Sequence, residues 1–257
     1  MKKLLFLALL AVGNLAFGQT ESEVFKKEQL EKKNVIPDEV KQKFATADFS
    51  KIWTHTENKF VYGFIGDDYQ RIRIKFITVT KTSPDTYTVY GKSMVKGNID
   101  DFHGTIKIAN IRKLKVASPG LENLYKIEGI KGQYIIVGDY SFAENKNQNH
   151  SGSFKGTFRS DFFVDKDNKI NYDDLESMTE GYNNNQFAGS WIAYKGNLTQ
   201  KCNWGDYRIP YSEDLDSGTS DFTPTDDFKK NGWETVHDSG DTEKKSKLIE
   251  DAKWWVR

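Results

Sequence analysis

The sequence predicts a mainly β protein, an antiparallel meander rolled into a barrel or a strongly bent sheet, with short flanking helices at both ends. Three observations predict this class. Apolar and polar residues alternate with a period of two from about residue 59 to residue 209. Turn residues such as Ser83-Pro84-Asp85 separate these runs, and glycines recur on their apolar faces, which favours curved strands. A β-sandwich is the alternative architecture.

A short pattern repeats within this β region. Residues 102–106, 154–158 and 187–191 all read Phe-x-Gly-Thr/Ser-large apolar. Since side chains alternate across a strand, Phe154, Phe158 and Phe162 share one face with the central glycine, and Lys155 and Arg159 share the other. The pattern therefore predicts the three phenylalanines in the core and the two basic residues on the surface.

The first 18 residues read as a cleavable signal peptide. Lys2 and Lys3 form a positive start, residues 4–12 are apolar, and small residues at 16 and 18 suit signal peptidase, so cleavage is expected before Gln19. The apolar run is too short to cross a bilayer. The only cysteine, Cys202, is far from the position that lipid attachment requires. We expect an exported, periplasmic or secreted protein that is soluble after cleavage and does not span the membrane.

The mature chain is expected to have three parts. Residues 19–57 form a charged helical arm, with Thr20 and Glu23 spaced as a capping box and Pro37 placed as a first-turn proline. Residues 58–210 form the barrel-like core. Residues 211–257 form an acidic loop and a C-terminal helix, which is expected to dock on the core through an apolar stripe of Leu248, Ile249, Ala252, Trp255 and Val256.

Charge and composition narrow the classes of partner. Removing the two leader lysines leaves 35 basic residues against 37 acidic ones, and such a balance argues against nucleic acid as a partner. Aromatic residues make up 14% of the chain, an enrichment that suits both β-strands and carbohydrate-facing surfaces. With a single cysteine, no intrachain disulfide can form.

One group of residues stands out as a candidate ligand site. If residues 202–209 form a strand, Trp204, Asp206 and Arg208 project from one face, and Trp191 lies on what should be a neighbouring strand. Such a face could stack on a polar ligand and hydrogen-bond to it. The alternative is architectural: an Asp206–Arg208 pair beneath the indole of Trp204, closing one end of a barrel.

Motifs for catalysis, metals and cofactors are weak or missing in the sequence. The acidic residues Glu213, Asp214, Asp216 and Asp221 could supply the carboxylate pair of a glycosidase-like hydrolase, but their spacing does not require it and a solvated acidic loop is the favoured explanation. The four histidines lack metal-ligand spacing, and no serine lies in a nucleophile elbow. Cys202 is expected to be a packed free thiol. The sequence predicts no catalytic residue, no metal site and no cofactor.

Two segments resemble those of a family of exported bacterial β-rich proteins with no assigned function. They are His-Ser-Gly-Ser-Phe-Lys-Gly at 150–156 and Cys-Asn-Trp-Gly-Asp-Tyr-Arg-Ile-Pro at 202–210, the latter followed by Asp-Leu-Asp at 214–216. The resemblance covers most of the mature chain. It implies an established fold unit and supplies no activity, substrate or catalytic residue.

Residues 187–194 are similar to the glycine-x-tryptophan motif of lipocalins, whose barrels bind small apolar molecules. In lipocalins that motif lies on the first strand, whereas Trp191 comes near the end of the β region. The resemblance is therefore one of architecture.

The function that these observations favour is that of an exported, non-catalytic binding protein. It would hold a small molecule or glycan at an aromatic-lined barrel mouth. Two alternatives stay open: a carboxylate-dependent hydrolase, and an envelope interaction protein without a pocket.

Overall fold

The structure, a computed structural model, describes residues 20–115 and 129–256. The predicted signal peptide lies outside these residues. The strands are β1 (Val35–Glu39), β2 (Val61–Ile65), β3 (Gln70–Lys81), β4 (Thr86–Val95), β5 (Asn98–Leu114), β6 (Gly132–Glu144), β7 (Gly152–Val164), β8 (Ile170–Tyr172), β9 (Asn184–Ala193) and β10 (Thr199–Asp206). The α-helices are α1 (Glu21–Glu31), α2 (Asp226–Lys229) and α3 (Glu243–Asp251). Short 3₁₀ turns cover Lys41–Phe44, Ile52–Thr54, Asn58–Phe60, Glu213–Leu215, Gly240–Thr242 and Trp254–Val256. Within the described ranges, no helix is both long enough and apolar enough to cross a membrane.

Eight of the strands pair into a closed antiparallel ring. Its order is β5-β4-β3-β2-β10-β9-β7-β6, and β6 pairs back with β5. The other two strands lie outside the ring, with β1 paired to β5 and β8 paired to β7. The predicted mainly β, antiparallel barrel is confirmed. Ring closure gives each of the eight strands a partner on both sides, so the ring has no free edge.

The inside of the ring is filled with aromatic rings. Phe154, Phe158 and Phe162 are at most 1% exposed, which confirms the predicted core face of β7. Lys155 is exposed, as predicted. Arg159, predicted to be exposed, is largely covered, with 14% of its side chain exposed, because α1 packs over the outer face of β7 and the guanidinium is paired with Asp161 at 2.5 Å.

Two glycines show why the repeated pattern contains glycine. Gly156 on β7 pairs directly with Gly189 on β9. A Cβ at Gly156 would lie 2.2 Å from the carbonyl oxygen of Ala188, and one at Gly189 would lie 2.3 Å from that of Lys155. The two strands therefore approach more closely than any side chain allows, as the recurring glycines predicted.

The N-terminal arm lies against the outside of the ring. Thr20 and Glu23 form the predicted capping box at the start of α1. Pro37 is not in a first helical turn but within β1, between the two residues that pair with β5, where a missing N–H breaks no ladder bond. The segment expected to be helical thus contains a helix, a short strand and 3₁₀ turns.

One end of the ring is closed by the chain between β1 and β2. Phe49, Ile52 and Trp53 are buried there, and the indole Nε1 of Trp53 donates to the hydroxyl of Ser160 at 2.9 Å. The ring of Trp53 makes edge contacts with Tyr87 and Phe158. This end of the barrel is therefore plugged.

The C-terminal segment packs on the outer face of β2 and β3, but not through the predicted stripe. Leu248 and Val256 are 68% and 71% exposed. The contact made by α3 is instead polar: Glu250 accepts from Arg71 at 2.6 Å and from Arg73 at 2.5 Å. Trp254 is buried and its Nε1 donates to Oδ1 of Asn58 at 2.7 Å. The segment docks as expected, through these ion pairs, the indole of Trp254 and a buried apolar cluster in which Leu215, Phe222 and Trp233 pack with Tyr62 and Phe64 of β2.

Candidate functional site

The open end of the ring contains a cavity of about 590 Å³. It lies where the turns at 66–69 and 96–97 meet the loops at 145–151 and 194–198. Cavities of 300 to 1,000 Å³ are typical of small-molecule sites. We call this space the mouth cavity. Its apolar wall consists of Ile65, Ile72, Val95, Phe154, Trp191 and Leu198.

Strand register explains which polar groups reach the floor of the mouth cavity. On β5 the inward-facing residues run Ile106, Gly104, Phe102 and then Asp100, towards the mouth. On β6 they run Tyr140, Phe142 and Glu144, and Glu144 pairs with Phe102. The inward alternation thus ends on two neighbouring strands with a carboxyl group, and both carboxyl groups line the mouth cavity.

Glu144 is held firmly by three donors. Its Oε1 accepts from the hydroxyl of Ser93 at 2.5 Å, and its Oε2 accepts from Nε1 of Trp191 at 2.9 Å and from the backbone N of Gly152 at 2.7 Å. Burial raises the pKa of Glu144, and the three hydrogen bonds oppose that rise. Glu144 therefore fixes the indole of Trp191 in the cavity wall.

Asp100 differs from Glu144 because one of its oxygens is unused. The residue is 4% exposed, and its Oδ2 accepts from Nδ2 of Asn98 at 2.6 Å. Its Oδ1 is buried and has no hydrogen-bond partner among the described residues. Burial, together with the carboxylates of Glu144 and Asp101, raises the pKa of Asp100 to about 6. A buried acceptor without a donor is costly, and Oδ1 is closed off from the mouth cavity, since less than 1 Å² of its surface is accessible.

The rim of the mouth cavity is polar and largely acidic. Asp67 and Asp68 come from the β2–β3 turn, and Lys96 and His150 come from the β4–β5 turn and the β6–β7 loop. All four are exposed. With Asp100 and Glu144, four carboxyl groups face one lysine and one histidine around the cavity.

Of the four residues predicted to form a ligand site, Trp191 is the one that lines the mouth cavity. It is 7% exposed and lies on β9. Trp204 is 2% exposed and lies deeper in the ring, stacked on Phe187 with a centroid distance of 4.8 Å. The two tryptophans belong to the same aromatic interior.

Asp206 lies at the plugged end of the ring. Its Oδ2 accepts from the hydroxyl of Thr56 at 2.7 Å, the hydroxyl of Tyr172 at 2.9 Å and Nδ2 of Asn185 at 2.7 Å. Burial raises the pKa of Asp206 to about 6, although these hydrogen bonds lower it. The carboxyl group joins the plug, β8 and β9 to the end of β10.

Arg208 does not join Asp206. Tyr207 has a left-handed φ of 64°, so the period-two alternation ends with β10 and Arg208 leaves the face of Trp204 and Asp206. The guanidinium pairs instead with Asp216 and donates to the carbonyl oxygens of Gly218 at 2.8 Å, Thr219 at 3.2 Å and Ser220 at 3.0 Å. Neither the grouped ligand face nor the Asp206–Arg208 pair is therefore formed.

The acidic loop after β10 does not supply the carboxylates of an open cleft. Asp216 is bound to Arg208, and its Oδ1 accepts from the backbone N of Gly218 and of Thr223, each at 3.0 Å. Neither Asp206 nor Asp216 lines the mouth cavity. In the described part of the chain, no cluster of three or more His, Cys, Asp or Glu side chains could hold a metal ion.

Sequence reasoning missed Asp100, Glu144 and Ser93. A signal for Asp100 and Glu144 was present, because each continues the inward-facing apolar series of its strand with a polar residue at the end, whereas Ser93 is followed on the same face by Val95. Cys202 is a buried free thiol, as predicted, and burial raises its pKa well above the usual value.

Comparison of the chain with known protein families, with curated proteins and with solved structures finds no match.

Proposed function

We propose that this protein is an exported, non-catalytic binding protein that holds a small polar molecule or glycan in the mouth cavity. The observation that carries the proposal is the cavity of about 590 Å³ at the open end of the ring, which is lined by aromatic side chains and by a few polar groups.

The cavity also has the composition expected of a binding site. Trp191, Phe154 and four aliphatic side chains supply apolar contact area, and a few polar groups at the floor and rim would orient the ligand. Glu144 holds Trp191 through its indole N–H, so the wall is preorganised. A preorganised wall reduces the side-chain entropy lost on binding.

The predicted export supports a role in capturing solutes outside the cytoplasm. The prediction of export rests on the first 18 residues, in which a positive start is followed by an apolar run and then by small residues. N-terminal sequencing of the protein recovered from its native host tests it, with Gln19 expected as the first residue.

A library of sugars, amino acids, amines and small acids, screened by thermal unfolding and native mass spectrometry, tests binding. Gln200 lines the mouth cavity and pairs with Trp191 across β9 and β10, so Gln200→Trp should fill the cavity. Lys155→Trp, at an exposed position on β7, is the matched control. We expect compounds that stabilise the wild type and the control but not Gln200→Trp. Equal stabilisation of all three proteins would place binding elsewhere, and no stabilisation by any compound would contradict the proposal.

A hydrolase is the second candidate, because two carboxyl groups share the mouth cavity and the carboxylate of Glu144 raises the energetic cost of ionising Asp100. Against it, both oxygens of Glu144 are already occupied by donors, which leaves this carboxylate poorly suited to attack a substrate. Release of nitrophenol from nitrophenyl glycosides by the wild type, abolished in Asp100→Asn, would favour the hydrolase over the binding protein.

A further inference from the structure

Part of the apolar stripe that the sequence predicts at the C-terminus lies open to solvent. The side chains of Leu248, Ile249 and Val256 are 68%, 41% and 71% exposed. The described residues contain seven exposed large hydrophobic side chains, and these three all lie within residues 248–256. Exposed apolar side chains that are scattered singly need no explanation, but their concentration in one short segment marks an interaction surface. We call these three side chains the exposed stripe.

Helix α3 turns the exposed stripe to solvent because its other face is anchored to the protein. The hydroxyl of Ser246 donates to Asp238 at 2.5 Å, and Glu250 is paired with two arginines of β3. Residues four apart lie on the same face of a helix. Leu248 lies midway between Ser246 and Glu250, so it is rotated about 200° from both and faces outward.

Exposed lysines flank the stripe. They are Lys244, Lys245, Lys247 and Lys253, and none of them is in an ion pair with another described residue. The acidic residues of the same segment are mostly neutralised. Glu250 is bound by the two arginines, and Oδ1 of Asp251 lies 3.5 Å from Nζ of Lys59. Residues 243–256 therefore present four unpaired positive charges to solvent, against the one exposed carboxylate of Glu243.

We infer that residues 243–256 bind the surface of a membrane that contains anionic phospholipids. The lysines would contact the headgroup phosphates, and the exposed stripe would enter the boundary between headgroups and acyl chains. Amphipathic helices with basic and apolar side chains bind membrane interfaces in this way, and each lysine near an anionic surface adds to the affinity. Lysine stems can also lie along apolar surface while their ammonium groups stay among the headgroups. This attachment is independent of binding in the mouth cavity.

A second copy of the chain fits this surface less well than a membrane. In a symmetric dimer the same surface lies on both subunits, so the lysines of one copy would face the lysines of the other. An acidic protein would match the lysines, but it would also need an apolar groove of the right shape for Leu248. A membrane interface supplies anionic groups beside apolar chains without requiring a complementary shape.

The experiment measures flotation of the chain from Gln19 onward with lipid vesicles. The leader is omitted because its apolar run would bind vesicles by itself. One set of vesicles is pure phosphatidylcholine, and the other also contains phosphatidylglycerol. We expect the protein to bind the mixed vesicles at least about tenfold more tightly than the pure ones, and to bind them more weakly as the salt concentration rises.

Two variants remove the charged and the apolar half of the surface separately. Combined Lys244→Gln, Lys245→Gln and Lys247→Gln should weaken binding to the mixed vesicles at least about tenfold, and Leu248→Ser at least about threefold. The matched controls change exposed residues elsewhere in the chain: combined Lys166→Gln, Lys169→Gln and Lys195→Gln for charge, and Met178→Ser for apolar surface. Both controls should bind within about twofold of the wild type. Because every replaced side chain is exposed, all four variants should keep the fold, which circular dichroism checks.

A fluorescent label measures whether the stripe enters the lipid. The only native cysteine, Cys202, is buried, so an environment-sensitive dye attached to the variant Val256→Cys reports on that position. Its emission should shift to shorter wavelength with the mixed vesicles. The same dye on Met178→Cys should not shift.

Several outcomes would overturn the membrane inference. These are no binding to either kind of vesicle, equal binding to both kinds, and unchanged binding by the lysine variant. Unchanged binding by Leu248→Ser, with no shift of the dye, would show adsorption by charge alone and would overturn the role of the stripe. Dimerisation that is lost in Leu248→Ser, without vesicle binding, would assign the surface to a second copy of the chain instead. None of these outcomes affects the proposed function of the mouth cavity.

Discussion

Nε1 of Trp191 on β9 donates to Oε2 of Glu144 on β6 at 2.9 Å, across the intervening strand β7. The same carboxylate binds Ser93 on β4 and the first residue of β7, Gly152. Glu144 therefore ties four strands of the ring together at its open end. The strand ends around the mouth cavity are therefore linked by hydrogen bonds to one carboxylate and are not independent of one another.

Glu144→Ala should lower the free energy of unfolding by about 2 to 4 kcal/mol, because it leaves three buried donors without their acceptor. Glu144→Gln is the matched control, since its amide oxygen can still accept from some of the three donors. It should lower the free energy of unfolding by less than Glu144→Ala does. Urea unfolding followed by far-UV circular dichroism measures both. A loss below about 0.5 kcal/mol for the alanine variant would show that solvent replaces these bonds freely.

Asp100 should make stability depend on pH. Its pKa is about 3.9 when unfolded and about 6 in the folded protein, so the folded state holds its proton to higher pH. The wild type should therefore lose stability relative to Asp100→Asn as the pH rises from about 4 to 7. Unfolding of both proteins across this range tests the sign. A constant difference would mean that Asp100 ionises as easily in the folded protein as in the unfolded chain.

Gly189→Ala should destabilise the ring by about 3 kcal/mol or prevent folding, because its Cβ would meet the backbone oxygen of Lys155 at 2.3 Å. Ser190→Ala tests the neighbouring, outward-facing position of the same strand and should be nearly neutral. Thermal unfolding distinguishes them. Similar melting temperatures would indicate that β7 and β9 can separate without penalty.

Period-two alternation predicted the β core well because burial on one face of a strand is a local property of the sequence. It predicted Phe154, Phe158 and Phe162 inside the ring. It did not predict that α1 would cover Arg159, since that contact joins residues far apart in the chain. The predicted ligand face does not form, for a local reason: the backbone is left-handed at Tyr207, a conformation that the identity of the residue does not indicate.

The mouth cavity was harder to predict because it depends on register. Asp100 and Glu144 are neighbours only because Phe102 pairs with Glu144 when the ring closes between β5 and β6. The sequence showed that polar residues end two inward-facing series, but it did not show that the series end at the same side of the barrel.

Phe158→Ala should lower the free energy of unfolding by about 3 to 5 kcal/mol. The phenyl ring of Phe158 is fully buried between Trp53 and Phe187, and its removal would leave a cavity. Lys155→Ala, on the opposite face of β7, should change stability by less than about 0.5 kcal/mol. Guanidinium chloride unfolding of both variants checks the assignment of faces. Equal losses would contradict it.

Arg208→Met decides whether this residue serves structure or ligand binding. Arg208 and Asp216 have side chains that are 18% and 6% exposed, and the guanidinium also holds the carbonyl oxygens of the 218–220 loop. Removing the guanidinium leaves the buried carboxylate of Asp216 without a cation, although Asp216 keeps two backbone N–H donors. We expect Arg208→Met to lower the free energy of unfolding by about 2 to 3 kcal/mol and to leave binding in the mouth cavity unchanged.

The double variant Arg208→Met with Asp216→Leu should recover part of this lost stability, because both charges are then gone. Should Arg208→Met instead keep its melting temperature and lose ligand, Arg208 would belong to the binding site and the structural role argued for it would be wrong.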